Sequence, residues 1–312
     1  MGMVPNMVYN VGSAILRAMG DSKRPLYFLI VACLSNVVLD LVFVLVFKMG
    51  IAGVAIASIL AQAISAVMVV MSLSAESMEY RFRFRQMRFE GDILSRTIRI
   101  GLPAGFQSIM YSLSNMLIQA SVNRFGTDTV ASWVVLGKVD GINWMILGAL
   151  GIASMTFVGQ NYGAGRLDRI QKSLKLSLLI GLCISIVFGG ALLLFGWPLF
   201  GLFTSDDTVL AMSMQLLWYF APFYWLFVPI EVISGALRGM GDTLIPTIIT
   251  ATGICVFRVA WIYTVVPLHN SMFTVSLSYP ISWVLTAIAF AIYYMIARKK
   301  LIANAPKPRT AE

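Results

Sequence analysis

The sequence predicts an all-α membrane protein with many membrane-spanning helices, built from two related halves. Of its 312 residues, 59% are hydrophobic and only 12% are charged, whereas a soluble domain has about 25% charged residues. A soluble core of this size has no room for so much apolar surface, so the solvent around most of the chain is predicted to be lipid. A ten-residue polar stretch that occurs twice predicts the two halves.

The repeated stretch is a short polar turn between two apolar runs. Residues 16–25 read Leu-Arg-Ala-Met-Gly-Asp-Ser-Lys-Arg-Pro, and residues 237–246 keep Leu, Arg, Met, Gly, Asp and Pro at the same offsets. A Gly-Asp pair after an apolar run, with a proline before the next run, predicts two helices joined by a tight turn. Six predicted helices separate the copies. Because an even number of crossings returns the chain to the same side of the membrane, both copies have the same orientation. The halves are therefore predicted to be parallel repeats of six helices.

Nine hydrophobic segments are predicted, most of them longer than the roughly 20 residues that span a bilayer. They cover residues 1–18 (in part), 25–47, 51–73, 95–122, 128–158, 170–197, 207–237, 244–268 and 272–297. With residues 17–24 placed in the cytoplasm, the inside loops collect all but four of the 23 basic residues. This positive-inside bias predicts a multi-pass protein of the cytoplasmic (inner) cell membrane with a cytoplasmic C-terminus.

The two halves are predicted to be unequal in length. The second copy of the turn follows four helices, whereas the first follows only part of one. We therefore expect a fragment, or a misassigned start, of a twelve-helix protein that lacks three helices and part of a fourth. The predicted organisation is a partial N-lobe over residues 1–80, a cytoplasmic linker over 81–94, a complete C-lobe over 95–298 and a cytoplasmic tail over 299–312. The arginine-rich linker is predicted to lie on the membrane surface rather than to bind RNA.

Several stretches in combination resemble the multidrug and toxic compound extrusion (MATE) family. Besides the two turns, they are Gly-Leu-Pro at 101–103, Phe-Gly-Thr-Asp at 125–128, Lys-Val-Asp-Gly at 138–141 and the glycine-rich run at 157–165. The resemblance covers nearly the whole chain and implies that the nine segments are helices four to twelve of a two-lobe bundle of 6+6 helices. It also implies export of cationic or amphipathic compounds in exchange for H⁺ or Na⁺, by alternating access between the lobes.

Asp40 and Asn36 form the first candidate site, because a charge at membrane depth is costly and is a functional candidate by default. Asn36 lies one helical turn before Asp40, on the same face. An amide beside a carboxyl group can hydrogen-bond the protonated acid or help to coordinate a cation. The pair also matches the Asn and Asp of the family's N-lobe ion site, so the resemblance implies ion coupling here. A structural aspartate satisfied by neighbouring helices is the alternative.

Four further charged residues are predicted at membrane depth. Glu231 and Arg258 lie on successive helices and are predicted to form a buried ion pair, which either opens during transport or fixes the helix packing. Lys138 and Asp140 are two residues apart, so they point to different sides of one helix. Each of these two charges either lines a C-lobe cavity or has a structural role.

A polar stripe on the 95–122 segment is predicted to line the path of the substrate. Its four residues at i, i+4 spacing share one helix face, which in lipid must contact a cavity or another helix; they are Gln107, Tyr111, Asn115 and Gln119. Sodium-coupled members of the family carry acids where this chain has Tyr111 and Phe227, so the resemblance favours coupling through Asp40. Six aromatic residues are predicted mainly as lipid-facing or interfacial anchors, with stacking on a cationic compound as the alternative; they are Trp133, Trp144, Trp218, Tyr219, Tyr224 and Trp225.

The composition excludes several other classes of function. Three isolated cysteines and the single His269 predict no metal site. No Gly-Lys-Ser/Thr follows the glycine-rich run, so neither ATP nor another cofactor is expected. The net charge of +9 reflects the loops, and no nucleic-acid partner is expected.

Two further interpretations were weighed against export. Gly-Met-Gly-Asp at 239–242 fits a pattern of intramembrane aspartyl proteases, yet Asp242 lies in a turn copied at Asp21, whereas that chemistry needs two aspartates facing each other. No enzyme and no catalytic residue is therefore expected. A lipid or oligosaccharide-lipid flippase of the same superfamily is an alternative, as is an inactive fragment. The flippase predicts a wide cationic cavity, whereas only Lys138 and Arg258 are basic at the membrane depth of the C-lobe. The predicted partners are therefore a small organic compound and membrane lipid.

Overall fold

A computed structural model shows a helical chain, with no β-strand among the residues that it describes. The described residues are 2–75, 82–83, 85, 88 and 90–303. They divide into two compact units, Met1–Glu90 (unit 1) and Gly91–Glu312 (unit 2).

Unit 1 contains three helices and one π-helical turn. They are α1 (Met3–Ala18), α2 (Lys23–Leu41), the π turn Val42–Val46 and α3 (Gly50–Ser74). The small core is formed by Leu16 on α1 with Val69 and Leu73 on α3. Gly12 allows this packing, because a Cβ atom there would lie 2.9 Å from both Val69 methyl groups.

The described residues of unit 2 form eight helices. The helices are α4 (Gly91–Val122), α5 (Thr127–Gly163), α6 (Leu167–Gly201), α7 (Asp207–Phe220), α8 (Phe227–Gly239), α9 (Leu244–Thr250), α10 (Phe257–Thr264) and α11 (Met272–Ala303). Two apolar segments of this unit, α7–α8 and α9–α10, are each a helical rod interrupted by a short turn that is not α-helical. A 3₁₀ turn, Ala221–Leu226, joins α7 to α8, and Pro222 at its start lacks the N–H that a continuous α-helix would use. A π turn, Ala251–Val256, joins α9 to α10.

The predicted fold class is confirmed. When each broken rod is counted once, the described residues form nine helical segments, as predicted. Seven of them are long and apolar enough to cross a membrane. Of the other two, α1 has 16 residues, and α4 has 32 but carries the polar stripe. Several helices extend beyond the predicted segments: α4 begins at Gly91 and not at residue 95, α5 ends at Gly163 and not at 158, and α11 ends at Ala303 and not at 297.

The linker and the tail lie partly outside the described residues. Of the linker arginines, Arg81 is outside, whereas Arg83, Arg85 and Arg88 are exposed. Arg88 forms an ion pair of 2.7 Å with Glu90. At the other end, α11 continues to Ala303, and residues 304–312 are outside the described part. The membrane-surface role of the linker therefore stays a prediction.

Both copies of the repeated turn close their helix in the same way. The Asp21 N–H donates to the Leu16 carbonyl at 2.9 Å, and the Asp242 N–H donates to the Leu237 carbonyl at 3.0 Å. Gly20 and its counterpart Gly241 have φ of +91° and +89°. This is the Schellman helix ending, in which glycine adopts the left-handed conformation. Each unit thus contains one of the two predicted tight turns.

Glycines on α5 and α8 let these two helices approach closely in unit 2. A Cβ atom on Gly239 would lie 2.5 Å from the Met155 carbonyl oxygen and 3.0 Å from the Gly159 nitrogen. A Cβ on Gly235 would collide with the Gly151 carbonyl oxygen. Small residues at helix interfaces are typical of membrane proteins, because backbones in lipid gain most from close van der Waals contact. This contact fixes α8, which carries Glu231, against α5, which carries Asp140.

Candidate functional site

An aromatic cavity in unit 2 has a volume of about 460 Å³ and opens among α4, α5, α7, α8, α10 and α11. Three chemical groups line it. The uncharged polar lining comes from Tyr111, Asn115 and Gln119 on α4. The charged lining is formed by Asp140, Glu231 and Arg258. The aromatic lining is formed by Trp133, Trp144, Phe220, Phe227, Tyr279 and Trp283.

Three members of the predicted polar stripe face this cavity, and the fourth does not. Tyr111, Asn115 and Gln119 are cavity residues. Gln107 lies one turn earlier, where its Oε1 accepts a hydrogen bond of 3.5 Å from Thr247. Gln119 donates to the Asn123 side chain at 2.9 Å. The stripe thus begins as a helix–helix contact and continues as a cavity wall.

Asp140 is buried at the cavity wall, with 9% of its surface exposed. The hydroxyl group of Tyr224, from the 3₁₀ turn, donates a hydrogen bond to its Oδ1. Asn143 lies one turn further along α5 and is fully buried, and its side-chain atoms have no hydrogen-bond partner among the described residues. Lys138 is exposed and is not part of the cavity lining. Of the two α5 charges, only Asp140 therefore belongs to this site.

Arg258 is held by α11 rather than by Glu231, so the predicted ion pair is not formed in this structure. The guanidinium carbon lies 3.9 Å from the ring centroid of Tyr279, and Nε donates to Ser282 Oγ at 3.0 Å. Only 4% of Arg258 is exposed. Glu231 is directed instead towards α5, since a Cβ atom on Gly151 would lie 2.6 Å from its Oε2.

The physical reason for this correction is geometric. Adjacent helices bring Glu231 and Arg258 to the same cavity, but each is oriented by a different neighbour. A desolvated guanidinium over an aromatic face gains about 2 kcal/mol or more, which competes with an ion pair that must itself be desolvated. Whether the two residues pair in another conformation stays a prediction.

Aromatic rings form a cage between Asp140 and Arg258. Trp144 meets Phe227 and Trp283 edge-on, at centroid distances of 4.9 and 5.7 Å. Phe220 meets Tyr279 at 5.1 Å. Edge-to-face pairs of this kind add to the rigidity of a packed wall. The cage therefore presents fixed aromatic surface at the site.

The aromatic residues named from the sequence divide between the cavity and the periphery. Trp133 and Trp144 line the cavity, whereas Trp218 and Trp225 are exposed. Tyr224 is fully buried beneath the site, and Tyr219 meets Phe273 edge-on at a centroid distance of 5.0 Å. The four cavity aromatics that were missed, Phe220, Phe227, Tyr279 and Trp283, come from α7, α8 and α11. Pro222 was the available signal, because a proline inside a predicted membrane helix marks a break that redirects nearby side chains.

Asn36 and Asp40 form a separate candidate site within unit 1. Both lie on α2, and Asp40 precedes the π turn Val42–Val46 by two residues. The Asn36 Nδ2 and Asp40 Oδ1 atoms are shielded from solvent and have no hydrogen-bond partner among the described residues. Such buried unpaired polar atoms require an explanation. For the Asp40 oxygen a bound ion is one, whereas the Asn36 Nδ2 group is a donor and calls for an acceptor. No group of three or more His, Cys, Asp or Glu side chains that could hold a metal ion occurs in the described part of the chain.

Helices long and apolar enough to cross a membrane, with a polar and aromatic cavity built between them, define a polytopic helical membrane protein. A family model, MatE, matches residues 103–264, a little over half of the chain. The chain therefore belongs to the MatE family, the family of multidrug and toxic compound extrusion transporters.

Individual relatives agree with this assignment. The chain is 27% identical to the probable multidrug resistance protein YoeA of Bacillus subtilis, over 94% of this chain and 65% of that protein. It is 29% identical to the probable multidrug resistance protein YpnP of the same organism, with the same two coverages. The chain thus spans about two thirds of the length of these curated relatives.

A solved structure shows the same fold. The crystal structure of MATE in complex with MaL6 superposes with a TM-score of 0.88 at 19% sequence identity, covering 95% of this chain and 67% of that one. The family model and the curated relatives confirm the predicted resemblance to the MATE family, and this structure confirms the fold.

Proposed function

We propose that this chain is the larger part of a secondary active exporter that carries small organic compounds, cationic or amphipathic, out of the cell in exchange for H⁺ or Na⁺. The unit 2 cavity binds the organic compound, and Asn36 and Asp40 in unit 1 bind the coupling ion. Alternating access between the two lobes then links the two binding events. The exporter lies in the cytoplasmic membrane, with its C-terminus in the cytoplasm.

The cavity chemistry carries the substrate part of the proposal. Its walls combine two carboxyl groups, Asp140 and Glu231, with the aromatic cage, and its single cation, Arg258, already stacks on Tyr279. Acidic and aromatic groups together attract a desolvated organic cation through charge and through ring quadrupoles. Most small-molecule sites have this composition, apolar walls with a few oriented polar groups.

The coupling part rests on a different observation. Asp40 is a carboxyl group at membrane depth whose Oδ1 has no protein partner in the described residues. A carboxyl group in that position can bind and release a proton, or it can ligate Na⁺ together with the Asn36 amide oxygen. The π turn two residues later supports a functional role, because π turns within helices occur frequently at functional sites.

The flippase alternative has less support from the cavity. A pyrophosphate head group calls for several unpaired cations, whereas Arg258 is the one basic residue among the cavity-lining side chains of the described chain. The two carboxyl groups beside it would repel such an anion.

Ligand binding to the purified chain tests the substrate site. The probe is ethidium, an aromatic cation, measured by fluorescence in detergent. Trp144→Ala is expected to weaken binding about tenfold, since an aromatic partner of a desolvated cation contributes about 1–2 kcal/mol. Trp218→Ala, on the exposed side of α7, is the matched control and should bind within about twofold of the parent chain. Equal affinity for the two variants would overturn the proposed cavity site.

A further inference from the structure

A second cavity lies on the surface of unit 2, in a groove between α5 and α6. Its volume is about 510 Å³, and it is lined by Ala153, Phe157, Arg169, Lys172, Ser173, Leu176, Ser177 and Ile180. The groove is distinct from the aromatic cavity, because the two share no lining residue. The proposed transport cycle gives it no role.

The groove is basic at one end and apolar along the rest. Arg169 and Lys172 lie in the first two turns of α6. Leu176, Ile180 and Phe157 follow, with 53%, 42% and 43% of their surfaces exposed. From Arg169 to Ile180 the groove runs eleven residues, about 16 Å along the helix. That length accommodates a substantial part of a lipid acyl chain.

The two cations are available for an external partner. Neither Arg169 nor Lys172 forms an ion pair within the part of the chain that the structure describes. Asp168 is the single acid among residues 160–180. It lies about 100° around the helix from Arg169 and one turn before Lys172, with which it forms no ion pair in the described part of the chain. The basic end of the groove therefore carries an excess of positive charge.

The position of the cations along α6 matches the headgroup level of a bilayer. From Leu176 to the end of α6 at Gly201 the sequence has no charged residue. Those 26 residues span about 39 Å, enough to cross a hydrocarbon core of about 30 Å. Lys172 and Arg169 lie one and two turns before this apolar stretch. A phosphate group at that level meets cations, and its acyl chain meets the apolar groove.

We infer that the α5–α6 groove is a binding site for one anionic phospholipid. The phosphate group contacts Arg169 and Lys172, and an acyl chain lies along Leu176 and Ile180, against Phe157. Basic pockets between transmembrane helices are known to hold anionic headgroups. Free phosphate would use only the basic end, and a zwitterionic lipid would bring its own cation next to the two basic side chains.

Native mass spectrometry of the purified chain tests this site. The chain is incubated in detergent with phosphatidylglycerol, phosphatidylcholine or inorganic phosphate. It is then released from the detergent in the spectrometer, and the adducts that stay bound are counted. One phosphatidylglycerol is expected to remain bound, and neither phosphatidylcholine nor phosphate should replace it. Equal retention of phosphatidylcholine, or an adduct of phosphate alone that competes with the lipid, would overturn the inference.

Variants separate this groove from a diffuse positive surface. The double variant Arg169→Gln, Lys172→Gln is expected to weaken phosphatidylglycerol binding about thirtyfold, because each basic residue near an anionic lipid strengthens binding about fivefold. Ala153→Trp fills the groove without a change of charge and should also abolish retention. Lys175→Gln removes an exposed cation of the same helix that does not line the groove, and it should bind normally. A loss with Lys175→Gln as large as with the double variant, or full retention with Ala153→Trp, would contradict the site. Far-ultraviolet circular dichroism establishes that each variant is folded.

Discussion

The helix that follows the repeated turn carries an acid in unit 1 and a base in unit 2. The turns themselves are nearly superposable in their hydrogen bonds and in the φ values of Gly20 and Gly241. Yet α2 carries Asp40, fifteen residues after Pro25, whereas α10 carries Arg258, twelve residues after Pro246. Each charge also lies two residues from a π turn. The backbone frame is therefore shared, and the chemistry at membrane depth has diverged.

The two charges also differ in how they are held. Asp40 Oδ1 has no partner among the described residues, whereas Arg258 is stacked on Tyr279 and bonded to Ser282. An unpaired acid is free to exchange an ion, but a caged cation is fixed in place. This contrast supports a division of labour in which unit 1 couples to the ion and unit 2 shapes the organic site.

The helices before the two turns differ as well. Gly235 and Gly239 on α8 correspond to Ala14 and Ala18 on α1, since the copies are 221 residues apart. In unit 2 these glycines pack against the α5 backbone. Glycine is thus used in unit 2 where two backbones meet.

The largest effect is expected from Asp40→Asn. If unit 1 provides the coupling acid, uptake of ethidium into proteoliposomes driven by a proton or sodium gradient falls to background. Ethidium binding to unit 2 should stay within about twofold, because the cavity is untouched. Asp21→Asn is the matched control, since Asp21 caps α2 through two backbone N–H groups, and an amide oxygen can still accept them. Gradient-driven uptake by Asp40→Asn at the parent rate would refute the division of labour.

The next effect is on stability, from Gly239→Ala. The new Cβ atom would lie 2.5 Å from the Met155 carbonyl oxygen, so α8 must move from α5. Overpacking of this kind lowers the free energy of unfolding by about 1–3 kcal/mol. All seven tryptophans lie in unit 2, so the midpoint of unfolding in detergent, followed by tryptophan fluorescence, reports this unit alone.

Gly190→Ala on α6 is the control for that measurement. A Cβ atom there meets nothing within 4 Å, so the variant should gain up to about 1 kcal/mol from helix propensity. A fall in the midpoint as large as that of Gly239→Ala would show that the effect is not one of close packing.

Patterns local in the sequence predicted most of the fold. The nine segments follow from apolar runs, and the two turns follow from their Gly-Asp pairs, because these signals depend on neighbouring residues alone. The breaks in α7–α8 and α9–α10 are harder to predict, since a proline signals the first but the π turn has no comparable local signal. The early start of α4 was not predicted because its first two residues, Gly91 and Asp92, are weak helix formers.

The candidate site was predictable in part. Helical spacing placed Tyr111, Asn115 and Gln119 on one face. The high free-energy cost of a charge at membrane depth indicated Asp140 and Arg258. Which side chain each charge meets depends on how helices distant in sequence rotate against one another. For that reason, the contacts of Tyr224 with Asp140 and of Tyr279 with Arg258 could not be derived from the sequence.

A smaller functional effect is expected from Arg258→Met. The switching hypothesis requires a Glu231–Arg258 ion pair in another conformation of the transport cycle. The variant should therefore transport about tenfold more slowly, which corresponds to a loss of about 1.4 kcal/mol. Its stability should fall by no more than about 2 kcal/mol, because the variant loses the contact with Tyr279 but also loses the desolvation cost of a buried cation. Arg124→Met, at the exposed turn after α4, is the control. Full transport by Arg258→Met would rule out the switch and leave Arg258 with a packing role.

The smallest effect concerns the turns, where the two units are expected to behave alike. Gly20→Ala and Gly241→Ala each place a Cβ atom in open space, with nothing within 4 Å, so any cost arises from the positive φ alone. Alanine in the left-handed conformation costs about 1–2 kcal/mol, and asparagine costs less. Tryptophan fluorescence measures the unit 2 variants, and hydrogen exchange of α1 and α2 measures those of unit 1. Equal costs at the two positions, each reduced by asparagine, would establish one shared frame. A cost that asparagine does not reduce would mean that a side chain of any kind is excluded there, and the two turns would then need separate explanations.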